Sequence, residues 1–98
     1  MTFLEPWFEV TSPDNAPDEL KRETSPGHPL HGVSVKTVAR RQDCDDVLFK
    51  LLDGSGRYAM VHLSFQKEKD PKWPECHLFT DLEDWIENGM KPDHEDWA

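Results

Sequence analysis

The feature of this chain that most constrains its fold is a series of three strand patterns between residues 32 and 65. Residues 32–42 and 58–65 alternate apolar with polar side chains, as half-buried strands do, whereas residues 46–53 are apolar on both faces, which is typical of a central strand. The polar segment DCDD and the glycine-containing turn DGSG separate the three runs, and short turns of this composition favour hairpins. The sequence therefore predicts three antiparallel strands in a meander.

The residues before these strands predict an arm and a short helix. Residues 1–13 are rich in apolar side chains and contain two prolines, which indicates a docked N-terminal arm with an edge strand at 7–10. In the next segment, Pro17 suits a first helical turn, and the two acids that follow it favour the positive end of the helix dipole. We therefore expect a helix near residues 16–24.

The residues after the strands predict a further strand and a second helix. The segment CHLF (76–79) has the length of a short fourth strand, and Thr80 with Glu83 three residues later forms the capping-box pattern that begins a helix. The apolar side chains of this helix recur on one face, and the Asn-Gly pair at 88–89 predicts its end. Residues 91–98 are expected to form an acidic C-terminal tail.

Together these elements predict an α+β fold. It consists of a small antiparallel sheet of three to four strands, with a short N-terminal helix and a short C-terminal helix packed on one face. A chain of 98 residues is long enough for one hydrophobic core and too short for two. Residues 1–98 are therefore expected to form a single domain.

The charge distribution bears on the kind of partner that the chain binds. Its formal net charge is −9, and residues 81–98 alone carry seven acids and one base. Such a field repels nucleic acids and anionic membranes, because both are bound mainly through their negative charges. The sequence also has no run of about 20 apolar residues and no basic, apolar leader. These patterns predict a cytoplasmic protein that binds neither nucleic acid nor membrane.

The adjacent pair Cys76 and His77 suggests a reactive thiol with its base. Neighbouring side chains in a strand point to opposite faces, however, so His77 cannot easily serve Cys76, and His62 would have to be the partner. A small, partly buried apolar residue is the plainer interpretation of Cys76. Since Cys44 is the only other cysteine, the chain has too few for a disulfide scaffold, and both are expected to be reduced.

The sequence contains only weak metal-binding motifs. His28 and His31 have the spacing of a metal-ligand pair, but a structural zinc site needs a second Cys/His pair and the sequence offers none. The two residues are therefore interpreted as loop histidines. The segment DCDDV (43–47) lacks the spacing of a calcium loop and is interpreted as a connection between strands. No catalytic residue, cofactor or metal ligand is therefore predicted. An alternative hypothesis is a small enzyme or metal-binding protein that uses His62 with Cys76, His77 or His94.

A more collective feature is a set of aromatic residues placed among acids. Trp and Tyr are enriched at the energetic centres of interfaces, and an acidic rim steers a basic partner. The plainer interpretation is that the aromatics complete the core and the acids keep the protein soluble. The residues predicted to form an interaction surface are Tyr58, His62, Trp73, Asp84, Glu87, Asp93, His94 and Trp97.

The second half of the chain carries the series DDVLF, YAMVHL, DPKWP, LEDW and DHE. This series resembles a group of small, uncharacterised bacterial proteins. The resemblance implies a bacterial cytosolic setting and no particular activity, so no functional residue is carried over from it. It also implies that His62, Trp73, Pro74 and residues 93–95 belong to one recurrent design.

The expected function is a non-enzymatic protein-binding module with a basic protein as its partner. An immunity-like or antitoxin-like role, in which the chain neutralises that partner, is one concrete form of this expectation. The chain itself is expected to be a monomer, or a homodimer formed through a strand edge.

Overall fold

The computed structural model describes residues 2–11 and 14–97, and its centre is a five-stranded antiparallel sheet whose strands lie in sequence order. The strands are β1 (Trp7–Glu9), β2 (Val35–Arg41), β3 (Asp46–Leu51), β4 (Tyr58–His62) and β5 (Cys76–Phe79). The helical elements are α1 (Ala16–Glu23), α2 (Leu82–Trp85), a π-helical segment (Ile86–Met90) and α3 (Lys91–Trp97). The predicted α+β class and antiparallel meander are confirmed. The sheet has five strands rather than three to four, because β1 and β5 both pair with the central three.

The central strand β3 explains the layered arrangement of the fold. Val47 and Phe49 point to one face of the sheet and Leu48 points to the other, and all three side chains are fully buried. We call these the first face and the second face. Helix α1 covers the first face with Ala16 and Leu20. A strand that is apolar on both sides thus needs a cover on each side, since every exposed apolar face costs free energy.

The second face is covered by the C-terminal helical elements and the N-terminal arm. Trp85 and Met90 pack there with Trp7 against Leu48. The prediction that both helices pack on one face is therefore wrong, because α1 and the C-terminal helical elements lie on opposite sides of the sheet. The indole rings of Trp7 and Trp85 meet edge to face, with their centroids 5.2 Å apart, a favoured geometry for aromatic pairs.

The C-terminal helical elements begin one residue later than the capping-box pattern predicts. Asp81 is the N-cap, and its Oδ1 accepts a hydrogen bond from the backbone N–H of Asp84 at 2.8 Å. The carboxylate of Asp84 in turn accepts from the backbone N–H of Thr80 at 2.9 Å. Two reciprocal hydrogen bonds between side chains and backbone thus begin the helix, as in a capping box, but Asp81 and Asp84 form them in place of Thr80 and Glu83.

The Asn-Gly pair at 88–89 does not end the helical path, which continues through the π-helical segment into α3. Gly89 is instead needed for close packing, because a Cβ atom at this position would lie 2.6 Å from Cδ1 of Trp85. The segment predicted to be an acidic tail is thus helical as far as Trp97. Ala98 lies outside the described residues.

The N-terminal arm is hydrogen-bonded to the C-terminal helical elements. The Nε1–H of Trp7 donates to Oδ2 of Asp93 at 2.9 Å, and Nδ1–H of His94 donates to the backbone carbonyl of Glu5 at 2.7 Å. The backbone N–H of Leu4 also donates to the sulfur of Met90 at 3.4 Å. The rest of the predicted arm, Met1 and residues 12–13, lies outside the described residues.

On the first face, a buried carboxylate fixes the turn after β4. Glu23 has no exposed surface, and it accepts hydrogen bonds from the backbone N–H of Ser64 at 2.8 Å, from the hydroxyl of Ser64 at 3.0 Å and from the backbone N–H of Phe65 at 2.9 Å. Phe65 has a φ of 57°, a left-handed conformation that a bulky residue seldom adopts. Glu23 therefore holds an unfavourable turn in place.

His28 is buried on the same side of the molecule. Its Nε2–H donates to the backbone carbonyl of Pro74 at 2.8 Å, and its Nδ1 accepts from the backbone N–H of Leu30 at 3.0 Å. One ring nitrogen thus fastens the 73–75 segment and the other fixes the loop of His28 itself, so both are used within the fold. Among the described residues, no helix has the length and apolar character that a membrane span requires.

Candidate functional site

The hairpin of β3 and β4 brings together three side chains of different chemistry. Asp46 and His62 are directly paired across the two strands, so their side chains share the second face, and Nδ1 of His62 lies 2.7 Å from Oδ1 of Asp46. Cys44 precedes β3 in the connection from β2. One potential ligand atom from each of the three residues lies within 4.8 Å of the other two. We call this set the Cys44–Asp46–His62 cluster.

The carboxylates around this cluster outnumber its one guanidinium group. Arg41 makes a bidentate contact with Asp43, at 2.9 and 2.8 Å. Its Nη1 lies 3.3 Å from Oδ1 of Asp93 and 3.7 Å from Oδ2 of Asp46. Three carboxylates therefore surround a single positive charge, and the local balance is negative. The contact with Asp93 also connects the cluster to α3.

A cavity of about 300 Å³ opens beside the cluster, lined by Asp46, Met60, His62, Glu75 and His77. His77 is paired with Met60, so its side chain lies on the same face as that of His62. The imidazole of His62 is 57% exposed and can reach solvent or a ligand. Of the partners predicted for His62, His77 is the one that lines the same cavity.

The other two predicted partners of His62 are placed elsewhere. Cys76 pairs with Val61 and packs against the core of the first face, on the side of the sheet away from His62. Burial raises the pKa of the Cys76 thiol, and the neighbouring carboxylate of Glu75 raises it further. His94 bonds the N-terminal arm. Cys76 and His77 therefore point to opposite faces, and they do not form a thiol with its base.

Cys44 is close to an imidazole and a carboxylate, but its environment does not activate a nucleophile. Burial is the largest effect and raises the pKa of the Cys44 thiol, and the nearby carboxylates of Asp46 and Asp43 raise it as well. A catalytic thiol needs the opposite shift, because the thiolate is the attacking species. A Cys-His-Asp hydrolase mechanism is thus disfavoured by the electrostatics of this cluster.

The eight residues of the predicted interaction surface divide into two groups. Four are exposed: His62, Trp73, Glu87 and Trp97. The remaining four are half-buried and have contacts within the fold. Tyr58 packs against the core on the second face, Asp84 accepts from the backbone N–H of Thr80 at the start of α2, Asp93 bonds Trp7, and His94 bonds Glu5. The exposed group presents its side chains to solvent, with His62 paired to Asp46 and Glu87 paired to Lys91, whereas the second group stabilises the chain itself.

The predictions from sequence do not identify Cys44 and Asp46 as neighbours of His62, nor Arg41 as a contact of Asp46. A usable signal was present, because a hairpin closed by a turn centred near residue 54 pairs residue 46 with residue 62. The segment DCDDV was compared with a calcium loop, whose ligands come from one stretch of chain. The observed cluster instead takes its third member from the facing strand.

The class of protein that these features define is an α+β domain with a five-stranded antiparallel meander covered on both faces. In comparisons with protein-family models, with curated proteins and with solved structures, no match to this chain was found.

Proposed function

We propose that this protein is a non-enzymatic binding module that engages a basic protein partner through the outer face of its C-terminal helical elements. The observation that carries the proposal is the distribution of charge on Leu82–Trp97. The exposed acids there are Glu83, Glu87, Glu95 and Asp96, and Lys91, which pairs with Glu87, is the exposed base. This outer face, which we call the acidic helical face, has a net charge of −3, from four acids and one base.

The anchoring of the inner face supports this proposal. Trp85 and Met90 are buried against the sheet, and Asp93 is held by Trp7 and Arg41. The outer acids are therefore displayed on a backbone whose position is fixed by packing, which reduces the entropy lost on binding. Trp97, at the end of α3, is 43% exposed and adds an aromatic contact of the kind that dominates interface energies.

The biological form of this proposal is an immunity-like or antitoxin-like protein that neutralises a basic partner in the cytoplasm. A single-sign face accelerates the encounter with a partner of opposite charge, and the acceleration weakens as salt rises. Such a role needs no cofactor and no catalytic group. It uses the exposed residues Glu87 and Trp97 of the predicted interaction surface, while Asp84, Asp93 and His94 support the backbone beneath them.

The test compares two charge reversals of equal size. The variant Glu95→Lys with Asp96→Lys changes the acidic helical face, and the variant Glu9→Lys with Asp18→Lys changes two exposed acids on β1 and α1. Lysines near a helix C-terminus favour the helix dipole, so the first variant is expected to stay folded. We expect it to bind the partner at least about tenfold more weakly, with the loss mainly in the association rate.

The partner is isolated from a bacterial lysate at low salt, identified, purified and measured against the wild type and both variants. Wild type and the β1/α1 variant should bind it with similar affinities that fall as salt rises, and the helix variant should bind it at least about tenfold more weakly. Equal loss in both variants would show that total charge alone is responsible. Recovery of no basic protein at low salt would also contradict the proposal.

A further inference from the structure

We propose that Cys44, Asp46 and His62 form a binding site for a divalent transition metal of the zinc type. This inference goes beyond the proposed partner binding, because it concerns a different part of the molecule. The cluster lies at the open end of the β3–β4 hairpin, away from the DGSG turn, and not on the acidic helical face. It rests on the convergence of one thiol, one carboxylate and one imidazole on the second face of the sheet.

The spacing of the three residues fits a tetrahedral ion after small adjustments. Bond lengths of about 2.3 Å to sulfur, 2.0 Å to nitrogen and 2.1 Å to oxygen place the ligand atoms of a tetrahedral zinc site about 3.3–3.6 Å apart. The atoms of the cluster lie within 4.8 Å of one another. The closest pair, Nδ1 of His62 and Oδ1 of Asp46 at 2.7 Å, must open by less than about 1 Å.

The side chains have the freedom to make this adjustment. His62 is largely exposed at its imidazole, and Cys44 is exposed in the connection before β3. Only the backbone positions of Asp46 and His62 are fixed, because the two residues are paired across the hairpin. The site thus combines a rigid strand pair with an exposed thiol in the adjoining connection, and the ion closes the gap between them.

The surrounding charges also favour a dication. Arg41 is the one positive side chain in contact with Asp46 among the described residues, and its charge is already compensated by the bidentate contact with Asp43 and by Asp93. Arg41 faces Oδ2 of Asp46, whereas Oδ1 faces His62. One oxygen of Asp46 is therefore oriented by an outer contact while the other is directed at the site, as is common for metal-binding carboxylates.

The ligand set determines which metal the site prefers. A thiolate with an imidazole selects zinc, cobalt or a similar transition metal, whereas calcium and magnesium prefer oxygen ligands alone. Three protein ligands leave a fourth position, and the cavity beside Asp46 and His62 is also lined by Glu75 and His77. Water or one of those side chains completes the coordination.

Titration of the purified protein with Co²⁺ tests the proposal, because a cobalt–thiolate bond gives a charge-transfer absorption band. We expect one equivalent of Co²⁺ to produce the band, and Zn²⁺, but not Ca²⁺, to remove it by displacement. The variant Cys44→Ser should lose the band. The matched control Cys76→Ser, which changes the other cysteine on the opposite face of the sheet, should keep it.

The variant His62→Ala adds a second measurement on a largely exposed residue, and we expect it to weaken Co²⁺ binding by at least about 100-fold. Circular dichroism of each variant shows that the fold is retained. The proposal is overturned if the wild type gives no thiolate band, if Cys44→Ser keeps it, or if Cys76→Ser loses it. None of these outcomes affects the acidic helical face, so the two proposals fail or hold separately.

Discussion

The variant Gly89→Ala is expected to lower the free energy of unfolding by about 1–3 kcal/mol, the usual cost of forcing extra atoms into a packed core. The same substitution in an open helix raises stability by roughly 1 kcal/mol, because alanine is the better helix former. In this protein the stability change has the opposite sign, because the added methyl group would collide with Trp85. The added Cβ would lie 2.6 Å from Cδ1 and 2.9 Å from Nε1 of Trp85.

Trp85 has little room to move away from that atom. Its side chain is fully buried, with the ring of Phe3 on one side at a centroid distance of 5.9 Å and the ring of Trp7 at 5.2 Å. The new Cβ would also lie 3.3 Å from Cζ of Phe79. Three aromatic neighbours thus resist the shift that would relieve the clash.

Urea unfolding, followed by tryptophan fluorescence, measures the effect of Gly89→Ala. The variant Glu95→Ala on α3 is the control, because Glu95 is exposed and its change should stay within about 0.5 kcal/mol. An increase in the unfolding midpoint of Gly89→Ala would show that the helix packs less closely on Trp85 than the structure has it.

The variant Glu23→Ala is expected to lower the free energy of unfolding by about 2–4 kcal/mol, because it leaves the part-buried N–H groups of Ser64 and Phe65 without their acceptor and opens a cavity. Glu23→Gln keeps the shape but turns an amide N–H towards one of these donors, so its loss should be smaller. Lys21→Ala, an exposed change on the same helix, should have little effect. Urea unfolding of the three variants measures their free energies of unfolding and so ranks them. If Glu23→Ala left the free energy of unfolding unchanged, the role given to this carboxylate would be contradicted.

The contribution of Glu23 should also depend on pH. Burial is the largest effect and raises its pKa above the ordinary value of 4.5, and a hydrogen bond with Glu19 raises it further. Because the folded pKa exceeds the unfolded one, the contribution is complete below pH 4.5 and declines as pH rises through the folded pKa. The stability difference between wild type and Glu23→Gln should therefore be larger below pH 4.5 than at neutral pH, and the reverse order would contradict the buried placement.

Much of the fold was predictable because its local signals are strong. The alternation in β2 and β4 and the two-sided apolar run of β3 define the meander, and Pro17 with its acids defines α1. The continuation of the helix beyond Asn88 was not predictable from local signals. An Asn-Gly pair normally ends a helix, but here the contact between Gly89 and Trp85 decides its role. That contact exists only once the second face of the sheet has formed.

The candidate site was likewise predictable only in part. The sequence marks His62 as a candidate site residue, and the partners it predicts for His62 are Cys76, His77 and His94, all in the part of the chain that follows it. The facing strand supplies Asp46, and the connection before it supplies Cys44. Pairing across a hairpin depends on register, and residue types alone do not specify register. The opposite orientation of Cys76 and His77, by contrast, follows from strand geometry alone.

The hydrogen bonds between the N-terminal arm and α3 have a consequence for the order of folding. They join residues 86 to 89 positions apart in the chain, at Trp7 with Asp93 and at Glu5 with His94. Closing so long a loop early would cost entropy without reward, whereas the completed sheet brings both segments to one face at no further cost. We therefore expect this junction to form last and to open first, so that the meeting of the Trp7 and Trp85 rings marks the completed native state.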